Sequence, residues 1–311
     1  MTNKVVILGS TNVDQFLTVE RYAQPGETLH VEEAQKAFGG GKGANQAIAT
    51  ARMQADTTFI TKIGTDGVAD FILEDFKAAH IDTSYIIKTA EAKTGQAFIT
   101  VNAEGQNTIY VYGGANMTMT PEDVINAKDA IINADFVVAQ LEVPISAIIS
   151  AFEIAKAHGV TTVLNPAPAK ALPNELLSLI DIIVPNETEA ELLSGIKVTD
   201  EQSMKDNANY FLSLGIKTVL ITLGKQGTYF ATKNQSQHIE AYKVNAIDTT
   251  AAGDTFIGAF VSRLNKSQDN LADVIDFGNK ASSLTVQKHG AQASIPLLEE
   301  VNQVKMNQTQ L

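Results

Sequence analysis

Val5-Val6-Ile7-Leu8-Gly9-Ser10-Thr11-Asn12-Val13-Asp14 joins a short apolar run to a glycine and a polar tail. The run has the length and β-branched content of a strand buried on both faces. Similar runs recur at Thr58–Ile60, Phe136–Ala139, Thr162–Leu164, Ile182–Val184 and Thr218–Ile221. Amphipathic stretches lie between several of them. Ala44, Ala47, Ile48 and Ala51, for example, fall at i, i+3, i+4 and i+7 on one helical face. Strands alternating with helices predict right-handed βαβ units. The expected fold class is therefore α/β, a doubly wound, mostly parallel sheet sandwiched by helices.

Two regions break the alternation. Around 16–38 polar and apolar residues alternate, with a Pro25-Gly26 turn between Val19 and Leu29. Around 94–112, Ala97, Ile99 and Val101 alternate with Phe98, Thr100 and Asn102, and Asn102–Gln106 turns the chain into Ile109–Tyr112. Both read as antiparallel hairpins. They predict a small antiparallel β lid over one end of the large sheet, built from about 13–38 and 94–114. With no internal repeat and no long linker, residues 1–311 read as one α/β domain carrying that lid, and the tail Asn307–Leu311 is expected to fray.

Composition narrows the function. At 311 residues and 33.3 kDa the chain can bury a large core. Its 44% hydrophobic and 19% charged residues describe a globular protein. Lys+Arg is 23 against 35 Asp+Glu, a formal net charge of -12, which argues against nucleic-acid and anionic-membrane partners. A nucleotide ligand is still allowed, because helix N-termini, a few lysines and Mg²⁺ create a local positive site. The absence of cysteine excludes disulfides, thiolate zinc sites and cysteine nucleophiles. His30, His80, His158, His238 and His289 are isolated and lack metal-ligand spacing. Only four apolar residues follow Lys4, and no stretch approaches the ~20 of a membrane helix, so a soluble cytoplasmic protein is expected.

Ligands of open α/β sheets bind outside the carboxyl ends of the strands. There the sequence places Asn12 and Asp14, Gln140 and Glu142, Asn165, then Asn186, Glu187 and Glu189, and finally Thr222 and Gly224. Any one of these suits a turn or a helix cap; together they describe a polar crevice along one sheet edge. Gly39-Gly40-Gly41-Lys42-Gly43-Ala44-Asn45-Gln46 opens the helix that carries Ala47 and Ala51. It reads either as a capped flexible turn or as a loop that brings backbone N–H groups to a ligand. It is neither a Walker A loop, since Gly43 follows Lys42, nor a dinucleotide fingerprint.

Asp248-Thr249-Thr250-Ala251-Ala252-Gly253-Asp254-Thr255 precedes a second helical run. Small residues there leave first-turn amides uncovered, an anion hole suited to a transferring phosphoryl group. Asp254 at its rim could accept a proton from an attacking hydroxyl, or could simply favour the helix N-terminus. Gly290-Ala291-Gln292-Ala293-Ser294 reads as an ordinary turn.

Taken together, these motifs resemble the ribokinase-like carbohydrate kinases nearly end to end. The resemblance rests on Gly9–Asp14, Gly40–Gln46, Gln140–Glu142, Asn165–Ala169, Pro185–Glu189, Thr222–Gly224 and Asp248–Asp254, in that order and spacing. It implies that ATP phosphorylates a sugar, here D-ribose at its 5-hydroxyl, to give D-ribose 5-phosphate and ADP. By that resemblance Asn12, Asp14, Gly41, Lys42, Asn45, Glu142 and Asp254 contact the sugar. Asp254 is the general base, and the Ala252 and Gly253 amides form the anion hole. Asn186 and Glu189 order Mg²⁺, for Glu189 through water, beside the ATP phosphates. Thr222, Gly224 and Gly227 line the nucleotide groove, with Asn279 near the adenine. An activating K⁺ is implied at Asp248, Thr250, Thr285, Lys288 and Gly290, with Ser294 nearby. Ala293 stands where many members have proline, a departure that would loosen this loop. A homodimer through the β lids is also implied, and pairing would protect their exposed edges.

Three other readings compete. A kinase for another small sugar (2-deoxyribose, fructose) or for a nucleoside keeps the reaction and changes the pocket. A non-catalytic sugar- or nucleotide-binding module is opposed by the intact Asp254 motif. A nicotinamide dehydrogenase rests on fold alone and lacks its fingerprint.

Overall fold

Side chains of the first strand, β1 (Lys4–Leu8), divide by parity. Val5 and Ile7 enter one apolar cluster, Val6 and Leu8 another. The same division runs through the neighbouring strands: Phe136 and Val138 go one way, Val137 and Ala139 the other. Successive side chains of a strand point to opposite faces, so a run that is apolar at every position must be covered on both. The computed structural model, which describes residues 2–31, 33–34 and 37–303, shows that cover. The expected fraying at Asn307–Leu311 falls outside the described residues, as do residues 32, 35 and 36 of the first hairpin.

In chain order the further strands are β2 (Asn12–Thr18), β3 (Glu33–Ala34), β4 (Phe38–Gly40), β5 (Asp56–Gly64), β6 (Ile86–Thr89), β7 (Gly95–Val101) and β8 (Asn107–Tyr112). They continue with β9 (Phe136–Gln140), β10 (Thr161–Asn165), β11 (Ile182–Ile183), β12 (Thr218–Thr222), β13 (Thr228–Thr232) and β14 (Ser236–Ile239). The large sheet has the order β14-β13-β12-β11-β10-β9-β1-β5-β6. Pairing is parallel from β12 to β6, and antiparallel only where β13 and β14 extend it. The six apolar runs of the sequence are its six contiguous central strands. β11 is shorter than its run, because Val184 lies just beyond it.

One face is covered by helices Lys42–Arg52, Asp70–Ala78, Ala252–Arg263 and Leu271–Thr285. The other is covered by Ile145–Ala157 and Glu201–Ser213, with Val124 and Ile131 beside them. Gly258 lets two of these helices cross at close quarters. An added Cβ there would stand 2.5 Å from the Ala49 Cβ and 2.7 Å from the Thr50 nitrogen. That crossing brings the start of the Ala252–Arg263 helix beside Asn45 and Gln46.

The small sheet has the order β3-β2-β7-β8, with β4 also on β2. Its two antiparallel halves, β2 with β3 and β4 and β7 with β8, join through a parallel β2–β7 pairing. Phe16 and Phe38 meet edge to face across β2 and β4, 5.8 Å between centroids. At the tip of the second half Asn102 Oδ1 accepts from the amides of Glu104 (3.1 Å) and Gln106 (2.9 Å). This is an Asx-type turn closed by Gly105 at φ 77.

Candidate active site

In the large sheet β1 lies between β5 and β9, so the chain leaves β1 in one direction and returns on its other side. Ligand crevices form at such switch points. Here the crevice begins at Gly41. Its φ is 90, and a Cβ would sit 2.9 Å from both the Asn12 nitrogen and the Ser10 oxygen. Only glycine passes this point, and the helix starts at the next residue.

That helix has no cap from its own N-cap side chain. The Lys42 amide donates to Glu142 Oε2 (3.0 Å), and the Gly43 amide to Ser10 Oγ (3.4 Å). Ser10 Oγ in turn donates to Glu142 Oε2 at 2.5 Å. Glu142, from the end of β9, thus caps a distant helix and balances its dipole. Ser10 was not singled out from the sequence; its role depends on a contact 132 residues away.

Burial alone would lower the pKa of the Lys42 ammonium. The carboxylates of Asp254, Glu142 and Glu189 more than offset this and hold it above the ordinary lysine value. Asp14 is buried at the start of β2, facing Gly40. Burial, aided by the charge of Glu142, pushes its pKa up to about 7. Asp14 Oδ1 and Asn45 Oδ1 are buried acceptors with no partner. Asn12 Oδ1 accepts from Asn116 Nδ2 (2.8 Å), and Asn116 Oδ1 from the Thr11 amide (2.9 Å). Asn116, which no sequence motif marks, therefore sets the orientation of Asn12. Two unsatisfied buried acceptors suit a polyhydroxylated ligand, whose hydroxyls would donate to them.

Asp254 is the third residue of its helix and is buried. Its Oδ2 accepts from Asn45 Nδ2 and its Oδ1 from Gln46 Nε2, each at 3.0 Å. Ala251 enters the helix at φ 61. The two expected anion-hole amides differ. Ala252 donates to the Thr249 oxygen at 3.2 Å, whereas the Gly253 amide has no acceptor among the described residues. The hole described by the structure is therefore centred on Gly253 and continues to the equally free Asp254 amide.

Beyond β11, Asn186 and Glu189 form a capping box. Asn186 Oδ1 accepts from the Glu189 amide (2.8 Å) and Glu189 Oε2 from the Asn186 amide (2.9 Å). Burial raises the pKa of Glu189, against the pull of the Asn186 amide and Lys42. A cavity of about 580 Å³ opens nearby, lined by Leu223, Lys225, Gln226, His238, Glu240 and Lys243 among others. Thr222 bridges to Asn186, and Gly224 and Gly227 bound the Lys225–Gln226 turn. Asn279 stands behind this groove. Its Oδ1 accepts from Thr228 Oγ1 (2.8 Å), and its Nδ2 donates to the Ile239 and Glu240 oxygens (3.2 and 3.3 Å). Its side chain holds the groove wall through the backbone at 239–240.

Asp248 ties two loops together. Its Oδ1 accepts from the Thr250 amide (2.9 Å) and its Oδ2 from the Gly290 amide (3.0 Å). These bonds hold its carboxyl below the usual range despite burial. The carbonyl oxygens of Asp248, Thr250, Lys288 and Gly290 accept no hydrogen bond from the described residues, while that of Thr285 accepts from Lys288. Ser294 Oγ donates to the Ala291 oxygen at 2.8 Å.

The model of the pfkB family of carbohydrate kinases matches residues 2–298. The chain is 98% identical over 304 residues to a ribokinase of Staphylococcus aureus (strain COL), covering 98% of this chain and 100% of that one. It is 35% identical over 303 residues to a deoxyribokinase of Salmonella typhi, covering 96% and 97%. Among solved structures, that of Arabidopsis thaliana ribokinase complexed with ribose and ATP matches at a TM-score of 0.90 and 31% identity, covering 97% of this chain and 98% of that one.

Proposed function

The chain belongs to the pfkB family of carbohydrate kinases, and from that premise we propose that it transfers the γ-phosphoryl group of ATP to the 5-hydroxyl of D-ribose. One observation carries the mechanism: Asp254 is held by Asn45 and Gln46 beside the free Gly253 amide, between the acceptors of the crevice and the cavity near Glu189. Asn12, Asp14, Gly41, Lys42, Asn45 and Glu142 hold the sugar. Asp14 Oδ1 and Asn45 Oδ1 accept from its hydroxyls, which would reject an analogue that leaves them unpaired. Asp254 takes the proton of the attacking hydroxyl. The Gly253 amide, with that of Ala252 behind it, faces the charge on the transferring group. ATP lies along Thr222, Gly224 and Gly227 from Asn186, with Asn279 supporting its base end.

Two ions fit the residues present. The oxygen donors Asn186 and Glu189 suit Mg²⁺ held partly through water, where it would neutralise phosphate charge. The unpartnered carbonyls of Asp248, Thr250, Lys288 and Gly290 suit K⁺, with Thr285 and Ser294 at the margin. Residues 1–311 act as one domain, and the small sheet is the lid. Its β8 exposes Ile109, Tyr110, Val111 and Tyr112 at 53, 66, 57 and 48%, an apolar edge that a second copy would cover, giving a homodimer. No helix among the described residues is long and apolar enough to cross a membrane, and ATP supply places the reaction in the cytoplasm.

The test is ADP release with ATP, Mg²⁺ and K⁺ across ribose, 2-deoxyribose, fructose and adenosine. Ribose is expected to lead, and Asp254→Asn to lose about 10³-fold in kcat. A folded Asp254→Asn protein with native turnover ends the general-base assignment. A lead for 2-deoxyribose would favour the second reading, which the deoxyribokinase likeness supports.

A further inference from the structure

Three buried amides lie behind Asp254 and touch no substrate in the reaction as described: Gln46, Gln140 and Asn165. They come from the first turns of one helix and from the ends of the adjacent strands β9 and β10. Gln46 Nε2 donates to Asp254 Oδ1 (3.0 Å) and to Asn165 Oδ1 (3.2 Å). Gln46 Oε1 accepts from Gln140 Nε2 (2.6 Å), and Asn165 Nδ2 donates to the Val184 oxygen (3.0 Å).

The direction of this chain is not a matter of choice. Side-chain amides can be turned end for end, and only their partners decide which end is which. The Val184 carbonyl can only accept, so Asn165 must present its NH₂ there and its oxygen to Gln46. Gln46 must then offer its own NH₂, which has two hydrogens. One serves Asn165 and the other is left for Asp254. Gln46 Oε1 therefore faces away, and Gln140 meets it with an NH₂. Turning any one amide would set oxygen against oxygen or donor against donor in a site sealed from water. The cost of the arrangement is visible in Gln140 Oε1, which is buried without a partner.

We propose that Gln46, oriented by Asn165 and Gln140, is a positioning residue that fixes the Asp254 carboxylate in its reactive orientation. Asn45 holds the other oxygen, but Asn45 Oδ1 is itself a buried, unpartnered acceptor assigned above to the sugar. Gln46 is fully buried, and its side-chain bonds all go to Asp254, Asn165 and Gln140. Its effect should therefore appear in the chemical step and not in binding.

The proposal rests on Asp254 being the base, and the experiment separates the two claims. Steady-state kinetics are measured for Gln46→Met, Gln140→Met, the double variant and Asp254→Asn, with near-ultraviolet dichroism checking the fold. Gln46→Met is expected to lose 10- to 100-fold in kcat, the scale of a misplaced reacting group, with KM for ribose and ATP within about twofold. Gln140→Met should lose less, and the double variant should match Gln46→Met, because Gln140 acts only through Gln46. Folded Gln46→Met with native kcat, while Asp254→Asn is inactive, overturns the relay and leaves the base assignment intact. Losses that multiply in the double variant also overturn it. If Gln46→Met does not fold, Gln140→Met decides alone: unchanged kcat overturns the proposal. If Asp254→Asn is active, the base assignment itself fails.

Discussion

β9 and β8 differ in one respect that accounts for much else. Every residue of β9 is buried, whereas β8 has five exposed residues and one intermediate. β9 lies between β1 and β10 with helices on both faces; β8 is the outer edge of the small sheet. A strand covered on both faces is specified by its apolar content, and its sequence reveals it without reference to anything else. A strand at an open edge keeps apolar residues for which the single chain offers no partner. Ile109–Tyr112 is as apolar as many core strands, yet it sits in solvent.

The sharpest break in that comparison is in stability. Phe136→Ala, at a fully buried β9 position, is expected to cost about 3–5 kcal/mol in denaturant unfolding. Ile109→Ala on β8 should stay within about 0.5 kcal/mol for the monomer. A large loss at Ile109 would show that β8 packs against something within the chain.

A second effect tests the seam between the sheets, where Asp14 is buried. Its pKa in the folded chain is raised to about 7 from the ordinary 3.8. The folded state therefore binds more protons than the unfolded state between those values. The resulting stability is fully present below about pH 4 and is lost as pH rises through about 7, by at most about 1.4 kcal/mol per pH unit. Melting temperatures of the ligand-free protein from pH 4 to 8, wild type against Asp14→Asn, should diverge in that sense. Parallel curves would mean that Asp14 is solvated. The smallest change in monomer stability goes with a change of assembly: Tyr110→Lys on β8 should leave folding nearly untouched while shifting sedimentation from dimer to monomer. Sedimentation unaffected by Tyr110→Lys would rule out a dimer through β8.

Legibility in the sequence follows the same contrast. The six central strands could be read because each carries a short, largely apolar and β-branched run, and the crevice because polar residues follow these runs directly. β6 and the β13–β14 hairpin are not legible in this way, although Gly227 before Thr228–Thr232 is a turn signal. The strand-end rule pointed to Gln140 and Asn165 but could give them no task, since that task depends on meeting Gln46 across 94 and 119 residues. Ser10 and Asn116 were invisible for the same reason. A short motif shows which groups are present; it does not show which buried acceptor each must satisfy.

The link Gly9–Thr11 between β1 and β2 is pinned to the large body. The Gly9 amide bonds the Ile60 oxygen (3.1 Å), the Ser10 oxygen accepts from the Ala44 amide (2.9 Å), and Thr11 meets Thr61 at 3.0 Å. A swing of the small sheet must then pivot beyond Thr11, with β2 as the lever. At about 3.3 Å per residue, Asp14 lies roughly 7 Å from a fulcrum at residue 12 and Thr18 roughly 20 Å. The outer rim would sweep about three times as far as Asp14. Such a short inner arm lets the entrance gape while Asn12 and Asp14 stay almost in place.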